Sequence, residues 1–226
     1  MESERMNVAE AIRERMTTRG KFKPDPVPRG LLEDILRQAQ RAPSWANTQP
    51  WQFAIVTGKP LEEIKKGYAG RVKDDRKPDI ARPYEFPEPY ISRIRRLSET
   101  DRTHEQDKDL RTLWNYQNYD APVVIYILID RAFYYQAEGI NSWSLFDCGA
   151  VMQNIMLLAA DHGLSTVAQA SAVVFPDIIR KAVGIPDSKL IALAIAIGYP
   201  NWDDPINQSR SKRVPLEEIT TWYGFD

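Results

Sequence analysis

Apolar residues recur at helical spacing in two places near the start of the chain. In "NVAEAIRERM" Val8, Ile12 and Met16 stand four apart, and in "PRGLLEDILRQAQRA" Leu31, Leu32, Ile35, Leu36 and Ala39 repeat the pattern, so both segments predict amphipathic helices. Three other runs are nearly continuous in apolar residues: "QPWQFAIVTG", ended by Gly58, "PVVIYILID", and "LIALAIAIGYP", closed by Gly198 and Pro200. Their β-branched and aromatic content predicts strands, and unbroken apolar strands belong in the middle of a sheet covered on both faces. "SLFDCGAVMQNIMLLAADHGLS" is apolar around its circumference from Leu145 to Ala160, with Gly163 placed as a C-terminal cap. It predicts a central helix buried on all sides, for which a second subunit is a natural cover. "FPDIIRKAVGIP" predicts a shorter helix, with Pro176 in its first turn and Gly184 at its end.

Residues 68–120 differ in kind. "RVKDDRKPDIARPYEFPEPY" is charged and broken by proline, and the stretch that follows has only weak helical character. Two readings stand open: a solvated insertion, or a lid over a site, the second favoured by Trp114, Tyr116 and Tyr119 just before the strand at Pro122. Apart from this variable excursion, residues 1–226 read as one domain.

Charge narrows the field of partners. Lys+Arg 30 against Asp+Glu 31 gives a formal net charge of -1, which provides no basic field for nucleic acid or an anionic membrane. One cysteine, Cys148, rules out an internal disulfide framework, and two histidines, His104 and His162, do not make a metal-ligand cluster. The charged N-terminal stretch lacks the apolar core of a signal peptide, and the apolar run at 150–160 is shorter than a membrane span. The expectation is a cytoplasmic, metal-free chain.

Candidate chemistry is sparse but specific. "RERMTTRGKF" gathers Arg13, Arg15, Thr17, Thr18 and Arg19 at a helix end, where guanidinium forks and hydroxyls suit a phosphate monoester; favourable interaction with the helix dipole explains the same charges without a ligand. "RSKRVPLEEIT" places Arg210, Lys212 and Arg213 far along the chain, a surface patch unless the fold brings the two clusters together. "APSWANTQPW" holds more hydrogen-bonding and stacking groups than a helix-to-strand turn needs, as a site for a flat polar heterocycle would. The chain has no GxGxxG after a strand, no GxxxxGK[ST], no GxSxG and no HExxH. Cys148 in the most apolar helix reads as a small core residue, and His162 before Gly163 as a helix-end residue.

Taken together, these pieces resemble the nitroreductase family of FMN-dependent oxidoreductases. "RMTTRGKFKPDPV" is similar to the family's RRSxRxF and following PDPV, with Thr17 in place of serine and one extra residue before Phe22; "APSWANTQPWQF" reproduces APSxxNxQPWxF from Ala42 to Phe53. The later segments look like the branch that contains nitrobenzoate and related nitroaromatic reductases, and the likeness is weakest from residue 68 to 112.

That resemblance implies an α+β fold, a mixed central sheet flanked by helices, in an intertwined homodimer with one FMN at each subunit interface. Arg15, Met16, Thr17 and Arg19 would hold the phosphate end, joined by Arg213 and Lys212. Pro43, Ser44, Trp45 and Asn47 would bond the isoalloxazine and ribityl atoms, and Gln169, Ala170 and Ser171 would run along the flavin near N5. The implied reaction is ping-pong: NAD(P)H reduces FMN by hydride transfer to N5, and a small planar acceptor, nitroaromatic or related, takes its place. Trp114, Tyr116 and Tyr119 are the candidate substrate residues, and no side chain is needed as a nucleophile. Reduction of quinones or enones, removal of halogen from aromatic rings, or flavin binding without turnover are the alternatives.

Overall fold

The computed structural model describes residues 6–83, 85–100 and 108–225, so His104 lies outside the described residues. Helix α1, Val8–Glu14, opens on a capping box: the Asn7 side chain accepts from Glu10 N–H at 3.0 Å, and Glu10 accepts from Asn7 N–H at 2.9 Å. Its buried side is Ala11, whereas Val8 and Ile12 are 72% and 55% exposed, contrary to the inward face predicted for them. Helix α2, Arg29–Ala39, buries Leu32, Ile35 and Ala39 as its spacing predicts.

Strand β1, Trp51–Thr57, leads through Gly58 into α3, Gly58–Ala69, a helix the apolar pattern did not predict. After α4, Tyr90–Thr100, and α5, Lys108–Tyr116, comes β2, Val123–Asp130, then the short α6, Arg131–Tyr134, and a two-stranded hairpin, β3 Tyr135–Gln136 with β4 Gly139–Ile140. Helix α7 is Ser142–Asp161, followed by β5, Ser165–Gln169, α8, Pro176–Val183, and β6, Lys189–Gly198. Gly184 caps α8 at φ 73°, a conformation glycine adopts without steric cost.

The sheet order is β1-β2-β6-β5, every pairing antiparallel; the one parallel contact among the described residues is the bridge of Thr17 to Thr166. β2 and β6 occupy the centre and are buried on both faces. β1 is an edge strand with Ile55 43% exposed, so of the three continuous apolar runs only two are truly central. On one face Ile125, Ile127, Ile129, Ile195 and Ile197 pack under α2 and α7; on the other Val124, Tyr126, Ile191 and Ala194 meet α3, α8 and Phe175. A register shift at Ile127 and Leu128, opposite Ala192, inverts the alternation in β6, so that Leu190 and Ile195 share a face despite opposite parity.

Helix α7 packs on α2, α1 and β5 through Cys148, Val151, Ile155 and Ala159. Its opposite face is not buried within the chain: Trp143 is 58% and Phe146 75% exposed. At 20 residues α7 is long and apolar enough, by length and composition, to cross a membrane, which corrects the shorter run read from the sequence. Its buried face belongs to the chain's own core.

The excursion is less solvated than its composition implies. Asp79 forms a paired contact with Arg180, at 2.7 Å to Nη2, and accepts from Ile191 N–H at 2.8 Å; Arg71 reaches Asp177 at 2.7 Å, and Lys77 N–H donates to Val174 O. Residues 71–79 are thereby fastened to α8 and β6, while α4 and α5 carry the remaining length.

Candidate functional site

Beyond α1 the chain runs extended beside β5. Thr18 N–H donates to Thr166 O at 3.3 Å, and the buried Thr18 and Ser165 hydroxyls bond each other. In extended backbone successive side chains alternate. Met16, Thr18 and Gly20 therefore turn inward, leaving Arg15, Thr17 and Arg19 on the outer side, half-buried or exposed. The alternation, more than the helix end, explains why hydroxyl and guanidinium groups converge.

Two side chains of the 204–207 turn hold this segment from behind. Asn207, fully buried, accepts from Gly20 N–H at 2.8 Å and donates to Lys21 O at 3.1 Å and Asn201 O at 2.8 Å. Asp204 accepts from Lys21 N–H at 3.1 Å and from Ile206 N–H at 3.1 Å. A Cβ on Gly20 would meet Asp204 Cγ at 2.6 Å and Asn207 Oδ1 at 2.8 Å, so position 20 requires glycine. Nothing in the sequence pattern marked Asn207 or Asp204; they are polar residues in an unremarkable turn.

From that turn the chain returns past α1, with Arg210 donating to Arg13 O and pairing with Glu14 at 2.8 Å. Arg213 arrives beside Arg15, and the two basic clusters meet. They line a cavity of about 650 Å³ together with Met16, Thr17, Arg19, Gln153 and Ser211, and no carboxylate lines it among the described residues. Burial, then the charge of Arg213, lower the affinity of Arg15 for its proton. Lys212, expected beside them, lines instead a neighbouring groove with Arg93 and Arg96, which Arg213 borders as well.

A second cavity, of about 600 Å³, shares Thr17, Arg19 and Ile206 with the first. Its floor is Val167 to Ser171, and its wall is α5, where Leu110, Arg111, Trp114 and Asn115 follow the i, i+1, i+4, i+5 spacing of one helix side. Asn115, absent from the residues singled out by sequence, accepts from Gln169 Nε2 at 2.7 Å and from Ser171 Oγ at 2.5 Å, and so orients both. Gln169 Oε1 is left buried with no partner. Trp114 is held by its indole N–H on Arg19 O at 3.1 Å and by an edge contact with Tyr119, ring centroids 6.0 Å apart.

Tyr116 does not reach this cavity. One residue beyond Asn115 on the helix it points into the core, 5.1 Å from the Tyr68 ring and 5.8 Å from Phe175, with its hydroxyl buried and unpartnered. The substrate role expected of it is corrected to a packing role; Trp114 and Tyr119 do line the cavity.

The loop that carries Pro43, Ser44, Trp45 and Asn47 lines neither cavity. It lies over α7, where the Asp147 carboxylate accepts from Trp45 N–H at 3.2 Å, and Ser44 Oγ accepts from Gln49 N–H at 3.0 Å. Ala46, Asn47 and Gln49 all have positive φ, 47°, 58° and 46°, a costly backbone for residues with a side chain. Trp45 is 62% exposed. Within one chain the residues expected to share a site therefore lie in two separate places.

Neither reactive side chain joins either half. Burial, then the Asp147 charge, push the Cys148 thiol up to about 12, which leaves it no thiolate at neutral pH. His162 caps the C-terminal end of α7, with Nε2 at 4.0 Å from Asp34.

The chain has known relatives in sequence and in fold. The model of the Nitroreductase family matches residues 12–199. A chloronitrobenzene nitroreductase of Comamonas testosteroni is 30% identical, over 95% of this chain and 96% of that protein. A 4-nitrobenzoate reductase of Pseudomonas putida is 28% identical over 91% of each. Among solved structures, the FMN and NADPH-dependent nitroreductase NfnB from Sphigopyxis sp. strain HMH superposes with a TM-score of 0.88 at 28% identity, covering 97% of this chain and 100% of that one. The chain belongs to the nitroreductase family.

Proposed function

We propose that the chain is an FMN-dependent oxidoreductase that draws electrons from NADH or NADPH and reduces nitroaromatic or related planar acceptors. The observation that carries this reading is the meeting of Arg15, Thr17 and Arg19 with Arg213 around a cavity without a carboxylate, continuous with a slot floored by Gln169, Ala170 and Ser171. A phosphate dianion relieves the repulsion between Arg15 and Arg213, and an N–H donor at the edge of a flat heterocycle satisfies the orphaned Gln169 Oε1. Both demands fit FMN. Bound there, FMN supplies a two-electron carrier between NAD(P)H and the acceptor.

The chain's own groups then orient and enclose. Arg15, Thr17, Arg19 and Arg213 fix the phosphate end, and Asn115 holds Gln169 and Ser171 toward the ring. Trp114 and Tyr119 line the slot and offer aromatic faces to a planar acceptor. Val8, Ile12, Trp143 and Phe146, with Leu216, Ile219, Trp222, Tyr223 and Phe225 of the C-terminal arm, form apolar surface too extensive for a free monomer. A second copy covers it in our reading, and the partner's strained 43–47 loop completes each site from across the interface. The homodimer is cytoplasmic in this reading.

The test is direct. The purified protein should carry flavin absorbance, NADH or NADPH should bleach it, and a nitroaromatic should restore it. Arg15→Met and Arg213→Met should each weaken FMN retention by about ten- to a hundredfold, the value of one charge-assisted contact. Full FMN occupancy in both variants refutes the phosphate assignment.

A further inference from the structure

Two further cations line the same slot, above the floor assigned to the flavin ring, from positions where this chain leaves the family pattern. Lys21 fills the extra position before Phe22, and Arg111 belongs to the divergent segment. Lys21 Nζ lies 5.5 Å from the centroid of the Trp114 ring, and Arg111 stands one helical turn before Trp114 on the same side of α5. Both line the slot. Among the described residues no carboxylate pairs with either. Among the described residues the one acid lining the slot is Asp204, and each of its oxygens already accepts a backbone N–H, one from Ile206 in its own turn and one from Lys21. The slot thus combines apolar walls, Leu110, Leu113, Trp114 and Val167, with positive charge at one rim.

We infer that Lys21 and Arg111 are specificity-determining residues that select a planar acceptor bearing an anionic group, a carboxylate on an aromatic ring, over its neutral counterpart. This rests on the reductase reading above and names the substrate class of the same site. An apolar slot alone discriminates weakly between flat rings, whereas a charge-assisted contact at its rim contributes about ten- to a hundredfold. Trp114 fixes the distance: its indole is tied to Arg19 O, and the ammonium sits over its face, so the cation stands beside a stacked ring instead of sweeping through solvent. The reductant carries anionic phosphates into the same slot, so the two sources of charge must be separated by half-reaction.

The experiment uses FMN-loaded enzyme, photoreduced and mixed in stopped flow with 4-nitrobenzoate or its methyl ester, a matched neutral acceptor. The second-order rate constants should favour the carboxylate. The ratio should fall as salt rises from about 0.01 M to about 1 M, where the screening length drops from about 30 Å to about 3 Å. Lys21→Met and Arg111→Gln should each lower the ratio by about tenfold or more, and Lys21→Arg should restore it. An equal ratio in wild type and variants overturns the inference, as does a charge effect confined to the NADH and NADPH half-reactions. A parallel slowing of both acceptors with a shifted flavin potential also overturns it, because the cations would then serve the bound cofactor. If a variant fails to retain FMN, the salt dependence of the wild-type ratio decides alone. Failure of both acceptors to reoxidise the enzyme is a different result, and it removes the reductase reading itself.

Discussion

Asn207→Ala removes the side chain that joins the 204–207 turn to the extended segment carrying Arg15, Thr17 and Arg19. Asn207 has no exposed surface, and three of its hydrogen bonds disappear together: one accepted from Gly20 N–H and two donated to Lys21 O and Asn201 O. Stranding the Gly20 N–H costs about 1–3 kcal/mol, and each lost donor about 0.5–1.5 kcal/mol net. Allowing for water entering the vacated space, the expected destabilisation is about 3 kcal/mol, which at a urea dependence of about 2–3 kcal/mol/M lowers the apo unfolding midpoint by about 1–1.5 M. Because Gly20 follows Arg19 directly, FMN affinity should fall as well. Urea unfolding of apo protein separates the first effect from the second, since bound FMN adds its own stabilisation by mass action. Gly20→Ala strikes the same contact from the other side, through the 2.6 Å and 2.8 Å approaches to Asp204 and Asn207. The double variant should therefore be less destabilised than the sum of the singles. An apo midpoint unchanged by Asn207→Ala, or strict additivity with Gly20→Ala, would refute the reasoning.

Tyr116→Phe removes a buried hydroxyl with no partner; the urea midpoint should hold or rise, and a loss of acceptor rate with unchanged stability would return Tyr116 to the site. Cys148 should resist iodoacetamide in the native protein at pH 8 and react once in urea. Its thiol, raised from 9.0 to about 12 in the fold, keeps its proton after the unfolded chain has lost one. That contribution to stability is therefore whole below pH 9 and lost as pH climbs through 12; native labelling at pH 8 contradicts the burial. Phe146→Glu places a charge on the exposed side of α7 and should lower dimer association and FMN occupancy together in sedimentation; a stable FMN-loaded monomer of the wild type would sink the two-subunit site.

The local elements were legible because period and chemistry coincide in them. Helix α2 and the central strands β2 and β6 declare themselves by apolar spacing, and Gly163 and Gly184 by the left-handed caps they supply. Helix α3 and strand β5 were not legible. "GKPLEEIKKGYA" is too charged to show a clear stripe, and "STVAQ" is too short to show alternation. The family pattern selected Arg15, Thr17, Arg19 and Arg213, but only the tertiary structure brought them together. That meeting depends on an extended segment lying beside β5, where Thr17 bridges Thr166, and on a C-terminal arm returning past α1, where Arg210 reaches Arg13, both pairings between residues far apart along the chain. Periodicity also cannot say which neighbour covers an apolar face. Val8, Ile12 and Phe146 carry the signature of buried residues and lie open on the single chain. Tyr116 looked like a neighbour of Trp114 in a lid, and a rotation of two residues about the helix axis, roughly 200° at 3.6 residues per turn, sends it to the core instead. Sequence records the chemistry available at each position, whereas the packing of elements fixes the direction in which each side chain faces.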